Sequence, residues 1–247
     1  MAAVDEIAAD IFRINVMTHP ELDFTTSFFL IRDDAPTLVE TGFRRAFDET
    51  YRAVSELIDP ATLRYLVVPH FEGDESGALN LFLQRAPHAL PVCSPIGADV
   101  NADLADREPL AVDGDSELDL GTHRLRFLIT PYVHTWESML PWDRTTRTVF
   151  CSDVFIGPDS GHATTDADQS DYMIEMYRSV GIFPSRAHLD HALDKIEAVH
   201  PQTLACHHGS VKTARIPAYL QTLRETDVTG VTEWNPMAEA PSNHPRR

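Results

Sequence analysis

The 247 residues contain only three cysteines, Cys93, Cys151 and Cys206. An odd number at such wide spacing excludes a disulfide framework and suits a reducing compartment. Basic residues are scarce: 20 Lys and Arg stand against 38 Asp and Glu, a formal net charge of −18. That balance argues against nucleic acid and against anionic membrane surfaces as partners. No run of about twenty apolar residues is long enough to span a bilayer. The first residues, Met1 to Glu6, lack the basic region and apolar run of a secretory leader. A cytoplasmic protein is expected. A Gly-rich phosphate loop is also missing, so no nucleotide or FMN site is read within the chain.

What remains is an ordinary globular balance of 43% hydrophobic and 23% charged residues, long enough for a core of its own. Strands are expected at 11–16, 24–32, 37–40, 65–68, 89–92, 147–151 and 203–206, where short apolar or β-branched runs end in turn residues. Leu118 to Leu120 and His123 to Ile129 form a hairpin around Gly121-Thr122. Helical spacing marks 43–58, 76–85, 96–104, 170–180, 186–199 and 216–224. The alternation predicts a layered α/β domain over 1–232, sheets inside and helices outside. The polar tail 233–247, with three prolines, is expected to be poorly ordered.

The informative segment is Val67-Val68-Pro69-His70-Phe71-Glu72-Gly73-Asp74-Glu75-Ser76. Four metal-binding side chains follow an apolar strand within six residues. Alternate residues of an extended loop point the same way, so His70, Glu72 and Asp74 converge just past a strand end, where open α/β sheets place their sites. Asp74 and Ser76 would equally suit the cap of the next helix. Three further strands run into the same residue types: 125–129 toward His134, 148–151 toward Asp153, and 203–206 into His207-His208-Gly209. One such strand end means little; four argue for one ligand set.

The combined pattern, His-x-Glu-x-Asp, a distant His, then Asp, then His-Gly, resembles the diiron domain of flavodiiron proteins and related oxygen-binding diiron proteins of the metallo-β-lactamase superfamily. Eighteen residues lie between His134 and Asp153, in keeping with that family. The stretches Thr130 to Met139 and Phe24 to Ile31 resemble its flanks. The resemblance runs from about residue 10 to 225.

It implies an αβ/βα sandwich of two mixed sheets flanked by helices. It also implies one metal on His70, Glu72 and His134, a second on Asp74 and His208, and Asp153 between them. His207 competes with His208, which is preferred because it precedes Gly209. Tyr172 and His19 stand where the family carries a pocket tyrosine and histidine. With Asp153 and Glu75 they are the groups expected beside a reacting molecule.

One departure is plain. The family has histidine after the motif aspartate; here it is Glu75, which either ligates the second metal or leaves that place to water. Oxygen-rich ligation shifts preference from zinc toward harder ions such as iron or manganese; iron is the expectation, with zinc or manganese as alternatives, and two irons would bind or reduce O2 or NO. Zinc-type hydrolysis of esters, thioesters or lactones is the alternative, and a non-enzymatic gas sensor a third reading. The chain stops at Arg247 without room for a flavodoxin domain, so electrons are expected from a separate partner. The family often pairs head to tail, which leaves a homodimer open.

Overall fold

The computed structural model describes residues 2–19, 24–159 and 161–230, the side chain of His19 excepted. The tail expectation at 233–247 lies outside them. Two seven-stranded mixed sheets face each other. The first runs β1 (Ala3–Ala8), β2 (Ile11–His19), β3 (Phe24–Ile31), β4 (Thr37–Val39), β5 (Tyr65–Val67), β6 (Leu90–Cys93) and β7 (Leu110–Ala111) in chain order. Its first four strands are antiparallel and its last four parallel. Helices α1 (Phe47–Leu57), α2 (Leu79–Arg85) and α3 (Pro95–Asn101) supply the parallel crossovers.

The second sheet is built from β8 (Glu117–Asp119), β9 (Arg124–Ile129), β10 (Met139–Asp143), β11 (Thr148–Ser152), β12 (Thr164–Thr165), β13 (Thr203–Cys206) and β14 (Val211–Lys212), in the order β12-β14-β13-β11-β10-β9-β8. Helices α4 (Ser170–Val180), α5 (Arg186–Ala198) and α6 (Ile216–Glu225) cover it. Among the described residues no helix is long and apolar enough to cross a membrane.

Strand alternation explains the layers. In β3, Phe28 and Leu30 pack with α1 and α2, while Phe29 and Ile31 enter the layer between the sheets. In β11, Val149 and Cys151 face the helices and Phe150 faces inward. The Phe29 and Phe150 rings meet at 5.4 Å across the sandwich. Strands buried on both faces read as continuous apolar runs, which is why they were legible.

Other elements differ from the sequence reading for physical reasons. β1 carries acids at Asp5 and Glu6 because it is an edge strand, paired only with β2. β10 contains Pro141, a residue that argues against a central strand. Its pairing with β11 covers only Trp142 and Asp143, so Pro141 is laddered with β9 alone. β7, β12 and β14 are two-residue strands too short to show a period. α2 begins at Leu79 rather than Ser76, with no side-chain cap, so Asp74 and Ser76 are not its capping residues.

Phe82 anchors the first half: it is fully buried on α2 and meets Phe47 edge-on at 5.1 Å. Phe82→Ala is expected to destabilise the chain by about 3–5 kcal/mol, read from urea unfolding. A loss under about 1 kcal/mol would show that this contact does not hold the helical layer.

Candidate metal centre

Five strand ends meet at one edge of the sandwich. The parallel pair β11 and β13 places Ser152 opposite Cys206, and the His207 N–H donates to the Ser152 carbonyl at 2.9 Å. Asp153 and His208 are therefore neighbours by construction. Two backbone bonds stitch the halves together beside them: Met139 N to the Pro69 carbonyl at 3.0 Å, and Ser27 N to the His207 carbonyl at 2.7 Å. Gly209 allows the turn after His208. Its φ is +85°, and a Cβ there would lie 2.0 Å from the Gly157 carbonyl oxygen, so only glycine fits.

The six residues read from the motif come together. Nε2 of His70 and of His134 each lie 3.1 Å from the same Glu72 oxygen. Asp153 Oδ2 is 3.0 Å from His134 Nε2 and 3.5 Å from His70 Nε2. Its other oxygen, Oδ1, is 3.2 Å from His208 Nε2, which lies 3.5 Å from Asp74 Oδ2. Asp153 thus turns one oxygen to each group. Donor separations of roughly 3.0–3.4 Å are what ligands about 2.1 Å from a shared ion would show. The donor set, imidazole with carboxylate, suits first-row divalent metals.

Charge supports the same reading. Burial opposes a charged ring at His134, but hydrogen bonds to Asp153 and Glu72 push it up to about 9. His208 is pushed up to about 10, against its burial, by bonds to Asp153 and Asp74. Glu72 falls to about 2 through bonds to His134 and His70. Asp153 is held well below the carboxylate range because its bonds to His134 and His208 outweigh its burial. A site that pulls protons onto its histidines is one that binds cations.

Behind the ligands lies a layer the motif did not reveal. Glu75 is not grouped with Asp74 and His208; its ligand atom lies within 4.8 Å of those of Glu40 and His207. The backbone N–H groups of Thr41 and Gly42 and the Thr41 hydroxyl bind its carbonyl, and its side chain turns inward. One oxygen is 2.9 Å from His70 Nδ1, and the other accepts from the Ser152 hydroxyl. Burial raises its carboxyl to about 7, opposed by the neighbouring His70. Glu40, just past β4, is fully buried and is hydrogen-bonded to Nδ1 of His207. Burial, reinforced by Asp153, pushes it well above the usual range. Glu40 was available to the strand-end logic, since 37–40 was read as a strand ending in an acid.

A pocket of about 150 Å3 opens on the cluster, lined by Phe24, Glu72, Asp74, His134, Asp153, Ile156, Met176, Tyr177, Val180, Ile182 and His208. Tyr172 is half-buried on α4 and does not line it. The tyrosine that does is Tyr177, whose hydroxyl donates to the Asp153 carbonyl at 2.7 Å and accepts from Ile156 N at 3.1 Å. Five residues along α4, about 1.4 turns, put the two on different faces of the helix. His19 ends β2, but its side chain lies outside the described residues.

Residues 24–209 match the sequence model of a family described as ODP family beta lactamase. The chain belongs to that family. Relatives of this ODP-family chain include a putative diflavin flavoprotein A 1 of Nostoc sp., 31% identical over 79% of this chain and 35% of the relative. The flavo-diiron protein FprA2 of Clostridium acetobutylicum is 27% identical over 77% and 50%. The chain spans about a quarter to a half of the length of the curated relatives it matches. Among solved structures, rubredoxin oxygen:oxidoreductase from Desulfovibrio gigas superimposes with a TM-score of 0.82 at 20% identity, over 90% of this chain and 61% of that one. A fragment, residues 1–254, of putative diflavin flavoprotein A 5 from Nostoc sp. gives 0.77 at 20% identity, over 90% and 93%. The ODP chain thus has the metallo-β-lactamase-like fold of the flavodiiron core, two mixed sheets flanked by helices, as its motif implied.

The ODP site's charge has a measurable consequence. Unfolded histidines titrate near about 6.5, whereas His134 and His208 titrate at about 9 and about 10 in the fold. The stabilisation from their protonation is complete below the unfolded value and lost as pH rises through the folded ones. Stripped of metal by a chelator, the chain is expected to melt highest between about pH 5 and 6.5, above the unfolded carboxylate values and below the unfolded histidine value, and progressively lower toward pH 10. Saturation with a divalent metal should flatten that fall. A metal-free melting temperature that stays constant across this range would contradict the account.

Proposed function

We propose that the chain holds two metal ions, iron in preference to zinc or manganese, and that the pair binds and reduces O2 or NO. The observation that carries this is Asp153, with one oxygen facing His70 and His134 and the other facing His208. In this reading His70, Glu72 and His134 hold one ion, Asp74 and His208 the other, and Asp153 lies between. When bound, such a pair supplies electrons to a diatomic molecule held between two cations.

The chain's own residues prepare the place. Glu75 fixes which nitrogen of His70 faces the pocket, and the Thr25 carbonyl does the same for His208 by accepting its Nδ1 proton at 2.9 Å. Tyr177 ties the Asp153 and Ile156 backbones together. Phe24, Ile156, Met176, Val180 and Ile182 wall one side of the pocket with apolar surface. Drug-sized ligands occupy roughly 300–1,000 Å3, so a cavity of about 150 Å3 favours a diatomic gas over an ester or lactone. Glu72 in place of a second motif histidine points the same way, toward iron. The relatives named as diflavin and flavo-diiron proteins agree. Electrons would come from a separate partner.

The test is metal content of protein purified without added zinc, followed by gas consumption with an artificial reductant. Two irons per chain and catalytic uptake of O2 or NO are expected. Two zincs with esterase activity would overturn the proposal. Uptake limited to one molecule per site would replace reduction with binding alone.

A further inference from the structure

The second ligand group has a feature that Asp74 and His208 alone do not explain. His207 is fully buried, and its Nδ1 is hydrogen-bonded to the buried side chain of Glu40. With Nδ1 so engaged, Nε2 is the ring nitrogen left for another partner. Nε2 is buried without a hydrogen-bond partner and lies 3.8 Å from Asp74 Oδ2. A buried ring nitrogen left unpaired beside a carboxylate carries a desolvation cost that a cation shared by the two would remove.

The first group shows the same construction. His70 has Nδ1 against the buried Glu75 and Nε2 toward Glu72 and Asp153. His70 and His134 meet edge-on at 4.6 Å and 75°; His207 and His208 meet edge-on at 4.5 Å and 72°. Each group therefore has a histidine pair, and each pair has one ring backed by a buried glutamate. Carboxylate backing of a ring nitrogen is how proteins orient and strengthen a metal-binding imidazole. The ligand atoms of Asp74, His207 and His208 also lie within 4.8 Å of one another.

We propose that His207 is a ligand of the second metal, with Glu40 as its positioning residue. The inference rests on the two-metal reading above and changes its ligand set. Glu75 then serves to back His70, and the imidazole missing from position 75 is supplied from the end of β13. The second ion is held by Asp74, His207 and His208, with Asp153 shared.

The test is metal binding by the full chain, measured as iron and cobalt content and by competition with a chelator of known affinity. His207→Ala should keep one ion at wild-type affinity and hold the other more than about tenfold more weakly. Glu40→Gln should weaken the same ion about ten- to a hundredfold, and serves if His207→Ala fails to fold. In a His134→Ala background, which weakens the first ion, electron-spin-echo spectra of the remaining cobalt should show two imidazole ligands. They should show one after His207→Ala. Wild-type affinity for both ions in His207→Ala and Glu40→Gln, or a single imidazole in the His134→Ala protein, would overturn the inference while leaving the two-metal reading intact. A wild-type chain that binds no pair of metals would overturn both.

Discussion

Acidic side chains gathered at one edge of the sandwich are the constraint on which the rest depends. Glu40, Glu72, Asp74, Glu75 and Asp153 meet past the ends of β4, β5 and β11, and Glu40 and Glu75 are fully buried. Like charges about 4 Å apart repel by about 4 kcal/mol at an effective dielectric of 20. A fold that concentrates them must bring counter-charge. His70, His134 and His208 supply it as imidazolium, and bound metal ions would supply it in their place. The raised titration of His134 and His208 and the depressed titration of Glu72 and Asp153 are two faces of the same demand.

The sandwich meets this demand by joining two similar halves. Each contributes parallel strands whose C-terminal ends carry polar side chains, and backbone bonds from Met139 to Pro69 and from Ser27 to His207 lock the two edges in register. The apolar layer between the sheets, centred on contacts such as Phe29 with Phe150, sets the distance between the ligand groups. Packing and chemistry are coupled here. A shift of one sheet against the other would part Asp153 and His208 from His70 and Glu72.

Much of this was legible in the sequence. Strands buried on both faces announce themselves as apolar runs, and four of them run toward His or acidic residues, so the sequence singles out His70, Glu72, Asp74, His134, Asp153 and His208, which the fold brings together. The rest was hidden for specific reasons. Glu75 follows Asp74 in the chain, and only the anchoring of its carbonyl by Thr41 and Gly42, thirty-odd positions away in sequence, turns its side chain inward. Tyr172 and Tyr177 share a helix, and their exposure depends on which face α4 lays on the sheet. Glu40 follows a strand in the same manner as the others, but no second metal-binding residue stands beside it to mark the place. Pro141 concealed β10, since a proline is tolerated there only because one side of the strand is unladdered at that point.

Anomalous X-ray diffraction from crystals of the iron-loaded protein, collected on both sides of the iron absorption edge, addresses the central claim most directly. Two anomalous peaks are predicted, one beside Asp153 Oδ2 near His70, Glu72 and His134, the other beside Asp153 Oδ1 near Asp74 and His208. A single peak, or two peaks that do not share Asp153, would contradict the account.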